Sequence, residues 1–234
     1  MTGILYGIGA GPGDPELLTV KAFRILSESK VIAFPKKRSG EKSYARQIID
    51  AYIDPQEKDM LGLVFPMTKD PVILEREWNK AADAVVEKLE SGENVAFVTE
   101  GDPMLYSTFI HMKNVLKKKM PDVKTEVVPG ISSVNGTAAR LNIPLADGDE
   151  HVAIIPATND RDALKRAIEM HDCVIFLKVA KVAALISSVI RELGLEAHAH
   201  AVTKVTSSDE VVWTLDEFER AEPNYLTLMV VKKK

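Results

Sequence analysis

Cysteine is almost absent: one residue, Cys173, stands in 234. No internal disulfide framework can form, and a chain of this length buries enough apolar surface to need none. Cys173 opens the apolar run Val174-Ile175-Phe176-Leu177 and has no basic neighbour to stabilise a thiolate, so it reads as a core thiol. Long hydrophobic runs are missing too, none nearing the roughly 20 apolar residues that cross a bilayer. The first residues lack the basic-then-apolar layout of a secretion signal. The expectation is a cytoplasmic protein with no membrane partner. Positive charge is in deficit: 30 Lys and Arg against 34 Asp and Glu leave a net charge of −4. That offers no general field for nucleic acid, and none is expected as a partner.

Strand-like and helix-like segments alternate instead. Ile4–Ile8, Val31–Phe34, Leu61–Val64 and Val95–Thr99 read as strands. Leu17–Ser27, Tyr44–Ala51, Val72–Leu89 and Tyr106–Leu116 carry helical periodicity between and after them. This order predicts an α/β fold with a mostly parallel sheet and helices on both faces. Past Pro121 the strands Val123–Val128, His151–Ile155 and Cys173–Leu177 alternate with helices at Val134–Leu141, Leu164–Met170 and Val182–Leu193. Ala197–Val205, Val211–Trp213 and Tyr225–Val231 then follow with almost no helix, which predicts a mixed sheet. Two α/β domains, 1–120 and 121–234, are expected, with Lys232-Lys233-Lys234 as a solvated tail.

Three turns carry the chemistry. The first strand runs into Gly7-Ile8-Gly9-Ala10-Gly11-Pro12-Gly13-Asp14. It is not a dinucleotide fingerprint: from Gly7 and Gly9 the third glycine falls on Pro12, and the second strand ends in Pro35-Lys36-Lys37 without an acid for a ribose. Gly40-Glu41-Lys42-Ser43 lacks the Gly-Lys pair of a phosphate loop. The second turn is Glu100-Gly101-Asp102-Pro103, at the carboxyl end of a strand, where open α/β sheets bind ligands. The third is Pro129-Gly130-Ile131-Ser132-Ser133, whose hydroxyls also suit a helix cap. Each turn alone is ordinary; the three together are specific.

Standing as GAGPGDPELLT, TEGDPMLYST and VVPGISSVNGTAARL, these segments resemble the tetrapyrrole (corrin/porphyrin) methylase family along essentially the whole chain. FPKKRSGEKSYARQI, FPMTKD and GDEHVAIIPA resemble the branch that methylates C(20) of precorrin-2 or cobalt-factor II in cobalamin biosynthesis. The resemblance implies S-adenosylmethionine (SAM), leaving as S-adenosylhomocysteine, folded in the cleft between two α/β domains. It implies cofactor contacts at Pro12, Glu100, Gly101, Asp102, Leu105, Ser132 and Ser133. In the second domain they fall at Leu177, Lys178, Lys204, Leu226 and Thr227. Lys178 and Lys204 depart from the small or apolar residues frequent among relatives, which moves their contact to the backbone. A homodimer is implied as well. Backbone carbonyls and Asp102 suit the cationic parts of SAM, and the hydroxyls of Ser132 and Ser133 suit its carboxylate.

The acceptor would be an anionic tetrapyrrole. Lys36, Lys37, Arg38, Lys42 and Arg46 make a basic cluster on an acidic chain, readable as a solvated loop or as carboxylate anchors. Arg46 suits a bidentate grip. Substrate-side positions are Asp14, Lys36, Lys37, Lys42, Tyr44 and Arg46. Tyr106 is the candidate catalytic residue, orienting the ring or assisting proton loss. His198 and His200, alternating on an expected strand, lack a third ligand, so no protein metal site is expected. Met104, Met112, Trp78 and Trp213 read as packing residues. Alternatives of the same fold are an enzyme for another corrin carbon, for ribosomal RNA or for protein, or a non-catalytic tetrapyrrole carrier.

Overall fold

The structure is a computed structural model that describes residues 2–38, 40–68 and 70–233. Ser39 and Lys69, inside segments quoted above, and Lys234 of the terminal run lie outside the described residues. The chain divides into two compact units, 1–132 and 133–234.

The first unit runs β1 (Leu5–Gly9), α1 (Val20–Glu28), β2 (Val31–Lys36), α2 (Tyr44–Ile49), β3 (Asp59–Val64), α3 (Pro71–Glu90), β4 (Val95–Thr99), α4 (Thr108–Lys119) and β5 (Thr125–Val128). Its five strands form a fully parallel sheet in the order β3-β2-β4-β1-β5. Successive strand residues serve opposite faces. Ala33, Val95 and Phe97 pack with Val85 and Leu89 of α3 and with Phe109 and Met112 of α4. Ile32, Ala96 and Val98 pack with Ile25 and Leu26 of α1 and with Ile48 and Ile49 of α2. Helices thus cover both faces, as the alternation predicts. Because β5 pairs in register with β1, the units divide at Ser132 and Ser133 rather than at the expected 120. The strand beyond Pro121 belongs to the first sheet.

Local signals set the helix starts. Thr19 accepts the Ala22 N–H and begins α1, whereas the expected start at Leu17 falls in a 3-10 turn, Pro15–Leu17, capped by Asp14. Asp70 caps α3 through the Val72 and Ile73 amides, with Pro71 in the first position, where its missing N–H costs nothing. Ser107 caps α4, so Tyr106, expected inside that helix, precedes it.

The second unit holds α5 (Ser133–Leu141), β6 (Val152–Pro156), α6 (Arg161–Met170), β7 (Cys173–Leu177), α7 (Ala183–Glu192), β8 (Ala199–Thr203), β9 (Val211–Trp213), α8 (Leu215–Arg220) and β10 (Thr227–Lys232). The sheet order is β6-β7-β10-β8-β9, with β6 and β7 parallel and the other pairs antiparallel. Leu164 and Ile168 of α6, Ile186 and Val189 of α7, and Phe218 of α8 cover one face. Cys173 is buried, and burial pushes its thiol pKa up.

Three expectations are corrected. Lys232 is not tail: it is a buried β10 residue paired with Glu150, because the sheet continues to the Cys173 register. Met104 is exposed whereas Met112 is core, since Met104 lies in the turn before α4. Helix α8, unforeseen, is started by a capping box between Thr214 and Glu217.

That box yields a prediction. Thr214→Ala should lower unfolding stability by about 1 kcal/mol in urea melts. The Thr214 N–H, and after it the Thr214 hydroxyl, hold the Glu217 carboxyl below its usual 4.5. A lowered folded pKa adds stability at higher pH that is lost as pH falls through the folded value. The stability gap between wild type and Glu217→Gln should therefore narrow below pH 4.5.

Candidate functional site

Helices α1 and α2 return the chain along one face of the first sheet, and α3 and α4 along the other. The loops that leave β1 and β4 consequently part toward opposite faces. Adjacent strands with diverging loops form the switch point at which open α/β sheets open a crevice. In this sheet the two strands pair in register up to Gly9 and Thr99. Two of the three glycine turns begin there, and the third leaves β5 on the other side of β1.

The turns meet. The Ala10 N–H donates to the Thr99 carbonyl at 2.9 Å, the Gly101 N–H to Gly11 at 2.8 Å, and the Gly11 N–H back to Gly101 at 3.4 Å. A Cβ on Gly9 would stand 2.6 Å from the Gly101 oxygen and 2.6 Å from the Gly130 Cα; one on Gly130 would stand 2.3 Å from the Gly101 oxygen. Gly11 and Gly101 hold φ of 82° and 64°, the left-handed region that glycine enters without strain. Asp102 clamps the junction. Its Oδ1 accepts the Met104 N–H at 2.8 Å and its Oδ2 accepts the Gly130 N–H at 3.0 Å. Both carboxylate oxygens are thus engaged by backbone, whereas the sequence reading aimed this side chain at the cationic parts of SAM.

Around the junction, Pro12 is buried and its carbonyl accepts the Tyr44 hydroxyl at 3.3 Å. Asp14 caps the following turn through the Glu16 N–H at 2.9 Å. Glu100 is exposed, Leu105 half-buried and Ser132 buried. Tyr106 is 49% exposed with φ of 52°, a left-handed backbone costly for a residue with a side chain. Ser133 opens α5 in the second unit.

The basic cluster resolves residue by residue. The Lys36 ammonium sits 5.4 Å from the Phe34 ring centroid and the Arg46 guanidinium 5.6 Å from it. Arg46 also meets Asp50 at 3.3 Å, and Arg38 meets Glu41 at 3.7 Å. Lys37 and Lys42 are exposed.

In the second unit, β10 lies between β7 and β8 and runs against both, so the ends of β7 and β8 and the start of β10 share one edge. Leu177, Lys178, Lys204, Leu226 and Thr227 come together at that edge. Lys178 and Lys204 have φ of 60° and 45°. Their side chains turn to the Tyr225 ring, at 5.9 Å, and to Asp209, at 2.7 Å. The Lys204 N–H donates to the Leu226 carbonyl at 2.8 Å. The Thr227 hydroxyl is buried against Thr203 at 2.8 Å, and Thr203 also accepts the Trp213 indole N–H. His198 lies in a 3-10 turn rather than on the strand, so it does not align with His200 of β8. Burial, and after it the nearby His198, lowers the His200 pKa. Among the described residues no group of three or more His, Cys, Asp or Glu could hold a metal, and no helix is long and apolar enough to cross a membrane.

The model of the Tetrapyrrole (Corrin/Porphyrin) Methylases matches residues 4–219. The chain belongs to that family. It is 39% identical to the probable cobalt-precorrin-2 C(20)-methyltransferase of Methanocaldococcus jannaschii, covering 98% of this chain and 96% of that protein. It is 34% identical to the cobalt-precorrin-2 C(20)-methyltransferase of Salmonella typhimurium, covering 100% and 98%. Among solved structures it shares the fold of the Thermus thermophilus uroporphyrin-III C-methyl transferase complexed with S-adenyl homocysteine. That likeness has a TM-score of 0.69 at 20% identity and covers 99% of this chain and 98% of the other.

Several participants at this methylase's junction and in its basic cluster carry little signal in the sequence. Gly9 and Gly130 were named in turns but not as the points of contact. Phe34 was passed over although it stands two residues before Lys36, on the same strand face. Asp50 was passed over although it follows Arg46 at helical spacing. Gly9→Ala and Gly130→Ala each press a Cβ on backbone, and each should cost about 1–3 kcal/mol of stability in denaturant melts. Native-like melts would show that the junction can open without cost.

Proposed function

We propose that this chain transfers a methyl group from SAM to C(20) of precorrin-2 or cobalt-factor II on the route to cobalamin. The observation that carries the reading is the 39% and 34% identity, over nearly the whole of both partners, with relatives named for that position of cobalt-precorrin-2. We read it further as a cytoplasmic protein and, on the family resemblance, as a homodimer, with sedimentation velocity as the check on assembly.

The residues present fit such a donor. Glu100 offers an exposed carboxylate to a cationic group. Ser132 offers a hydroxyl, and the left-handed turns at Gly11 and Gly101 present backbone without side chains. In this reading Pro12, Glu100, Gly101, Leu105, Ser132 and Ser133 bind SAM, and Asp102 holds the turn that does so. Leu177, Lys178, Lys204, Leu226 and Thr227 contribute mainly through backbone, since the side chains of both lysines and Thr227 have partners of their own. Strained backbone at Lys178 and Lys204 supports a functional edge there, because such conformations cluster at binding sites.

Bound SAM supplies an activated methyl on a sulfonium, whose departure leaves a neutral thioether. The chain's task is then to hold donor and acceptor in line, and positioning of this kind can supply roughly 7–11 kcal/mol of the barrier. No nucleophile is required of the protein. Lys36, Lys37, Lys42 and Arg46 are assigned to the carboxylates of the macrocycle, with Asp14 and Tyr44 beside them. Tyr106, held exposed at the end of the second turn, orients the ring or helps remove its proton.

Incubation with SAM and precorrin-2 or cobalt-factor II should add one methyl to the macrocycle by mass spectrometry. SAM binding without any gain would overturn the acceptor assignment. Gly101→Val, forced into a left-handed backbone at a cost of about 1–3 kcal/mol, should weaken SAM affinity at least tenfold by calorimetry. Tyr106→Phe should lower kcat and leave SAM affinity in place; an unchanged kcat would remove Tyr106 from the chemistry.

A further inference from the structure

We infer that Phe34 and Gly62 are positioning residues that set the Lys36 ammonium against the ring that the Arg46 guanidinium also reaches, making a two-cation anchor for carboxylate arms of the substrate. The inference rests on the anionic-macrocycle reading above. Phe34 and Lys36 project from one face of β2, and Gly62 of β3 is the register partner of Phe34. A Cβ at Gly62 would come within 2.5 Å of the Lys36 Cε and 2.7 Å of its Nζ. The lysine therefore lies across a space that only glycine leaves open. Its ammonium then stands 5.4 Å from the Phe34 centroid, within the range of a cation–π contact. Arg46 reaches the same ring at 5.6 Å from α2, steadied from behind by Asp50 at 3.3 Å.

Two cations and one carboxylate about a single buried ring leave a surplus positive charge. Among the described residues no carboxylate lies within ion-pair distance of Lys36. A solvated basic loop needs neither a ring that is 1% exposed nor a glycine kept clear for a lysine stem. The anchor is also tied to the first glycine loop, because Tyr44, the first residue of α2, donates its hydroxyl to the Pro12 carbonyl at 3.3 Å. A lysine held in one rotamer binds a carboxylate with less ordering still to lose, so pre-placement appears as affinity for the macrocycle.

Gly62 is not in the left-handed region, so alanine takes its backbone without strain and displaces only the flexible end of Lys36. Gly62→Ala, Phe34→Leu and Lys36→Gln should each raise KM for the macrocycle, by about fivefold to tenfold for loss of one well-placed charged contact. Values of kcat and SAM affinity should move less than about twofold. Melts should stay near wild type for Gly62→Ala and Lys36→Gln, whereas Phe34→Leu, which empties part of a core position, should melt a few degrees lower. Gly62→Ala added to Lys36→Gln should do no further harm, because the glycine acts through the lysine. An unchanged KM in Gly62→Ala, or additive effects in the double variant, overturns the inference. The fluorescence of uroporphyrin, a carboxylate-rich tetrapyrrole, gives a second readout by titration without turnover. Wild type that binds it more tightly than Gly62→Ala, yet never methylates precorrin-2, keeps the anchor and removes the acceptor assignment. Wild type that methylates, with every variant alike in both assays, removes the anchor and keeps the acceptor. Wild type that neither binds nor methylates removes both.

Discussion

Backbone touching backbone is the constraint from which the first unit's site follows. Three adjacent parallel strands end together, and their connections must cross at that edge with less than a methyl group's room between them. Gly9 and Gly130 meet that demand by lacking a Cβ, since one on either would lie 2.3–2.6 Å from the next turn. Gly11 and Gly101 meet it by entering the left-handed region. Close approach alone would leave amides of the turns unpaired, and buried amides are costly unless bonded. Asp102 takes two of them, one from its own turn and one from Gly130. A junction built this way packs peptide groups rather than side chains against one another where β1 and β4 end.

The same logic explains which roles the sequence made legible. Turn positions could be read directly, because glycine spacing reports backbone demands. Side-chain roles at those turns were harder to read, because an aspartate, a threonine or a tyrosine near a ligand site is as able to hold the site's own backbone. Asp102, Thr227 and Tyr44 all do so here. Strand boundaries followed hydrophobic runs closely: Val95–Thr99, Cys173–Leu177 and Val211–Trp213 stand as the pattern predicts. Helix starts were displaced wherever a cap outweighed an apolar residue, as Thr19 and Ser107 do. The divide between units was misplaced for a topological reason. Composition changes after Pro121, but β5 still pairs with β1, and strand pairing across a long sequence separation leaves no local mark. Phe34 carries a similar lesson, since its tie to Gly62 exists only once β2 and β3 lie side by side.

Methyl transfer from a sulfonium asks little of side-chain acid–base chemistry, and the first unit's polar groups are spent accordingly. They brace turns, cap helices and seat cations, and no charge-relay arrangement is needed among them. Catalysis by placement puts the premium on rigidity. A close-packed glycine junction provides it better than a network of long side chains could, since each such side chain must be ordered at an entropic cost.

Charge completes the picture at longer range. The chain is acidic overall, at −4, so a carboxylate-rich ligand meets repulsion over much of the surface. Screening confines each charge to roughly 8 Å at physiological salt, and a local basic cluster can therefore act without reversing the sign of the whole. Within that cluster Arg38 and Arg46 are partly offset by Glu41 and Asp50, whereas Lys36 is held against an aromatic face instead of a carboxylate. An ion pair would have neutralised it, and a ring does not. If these cations form the anchor inferred above, its attraction is short in range and fixed in position, which would favour an anion that brings its carboxylates at a set spacing over one that merely brings many.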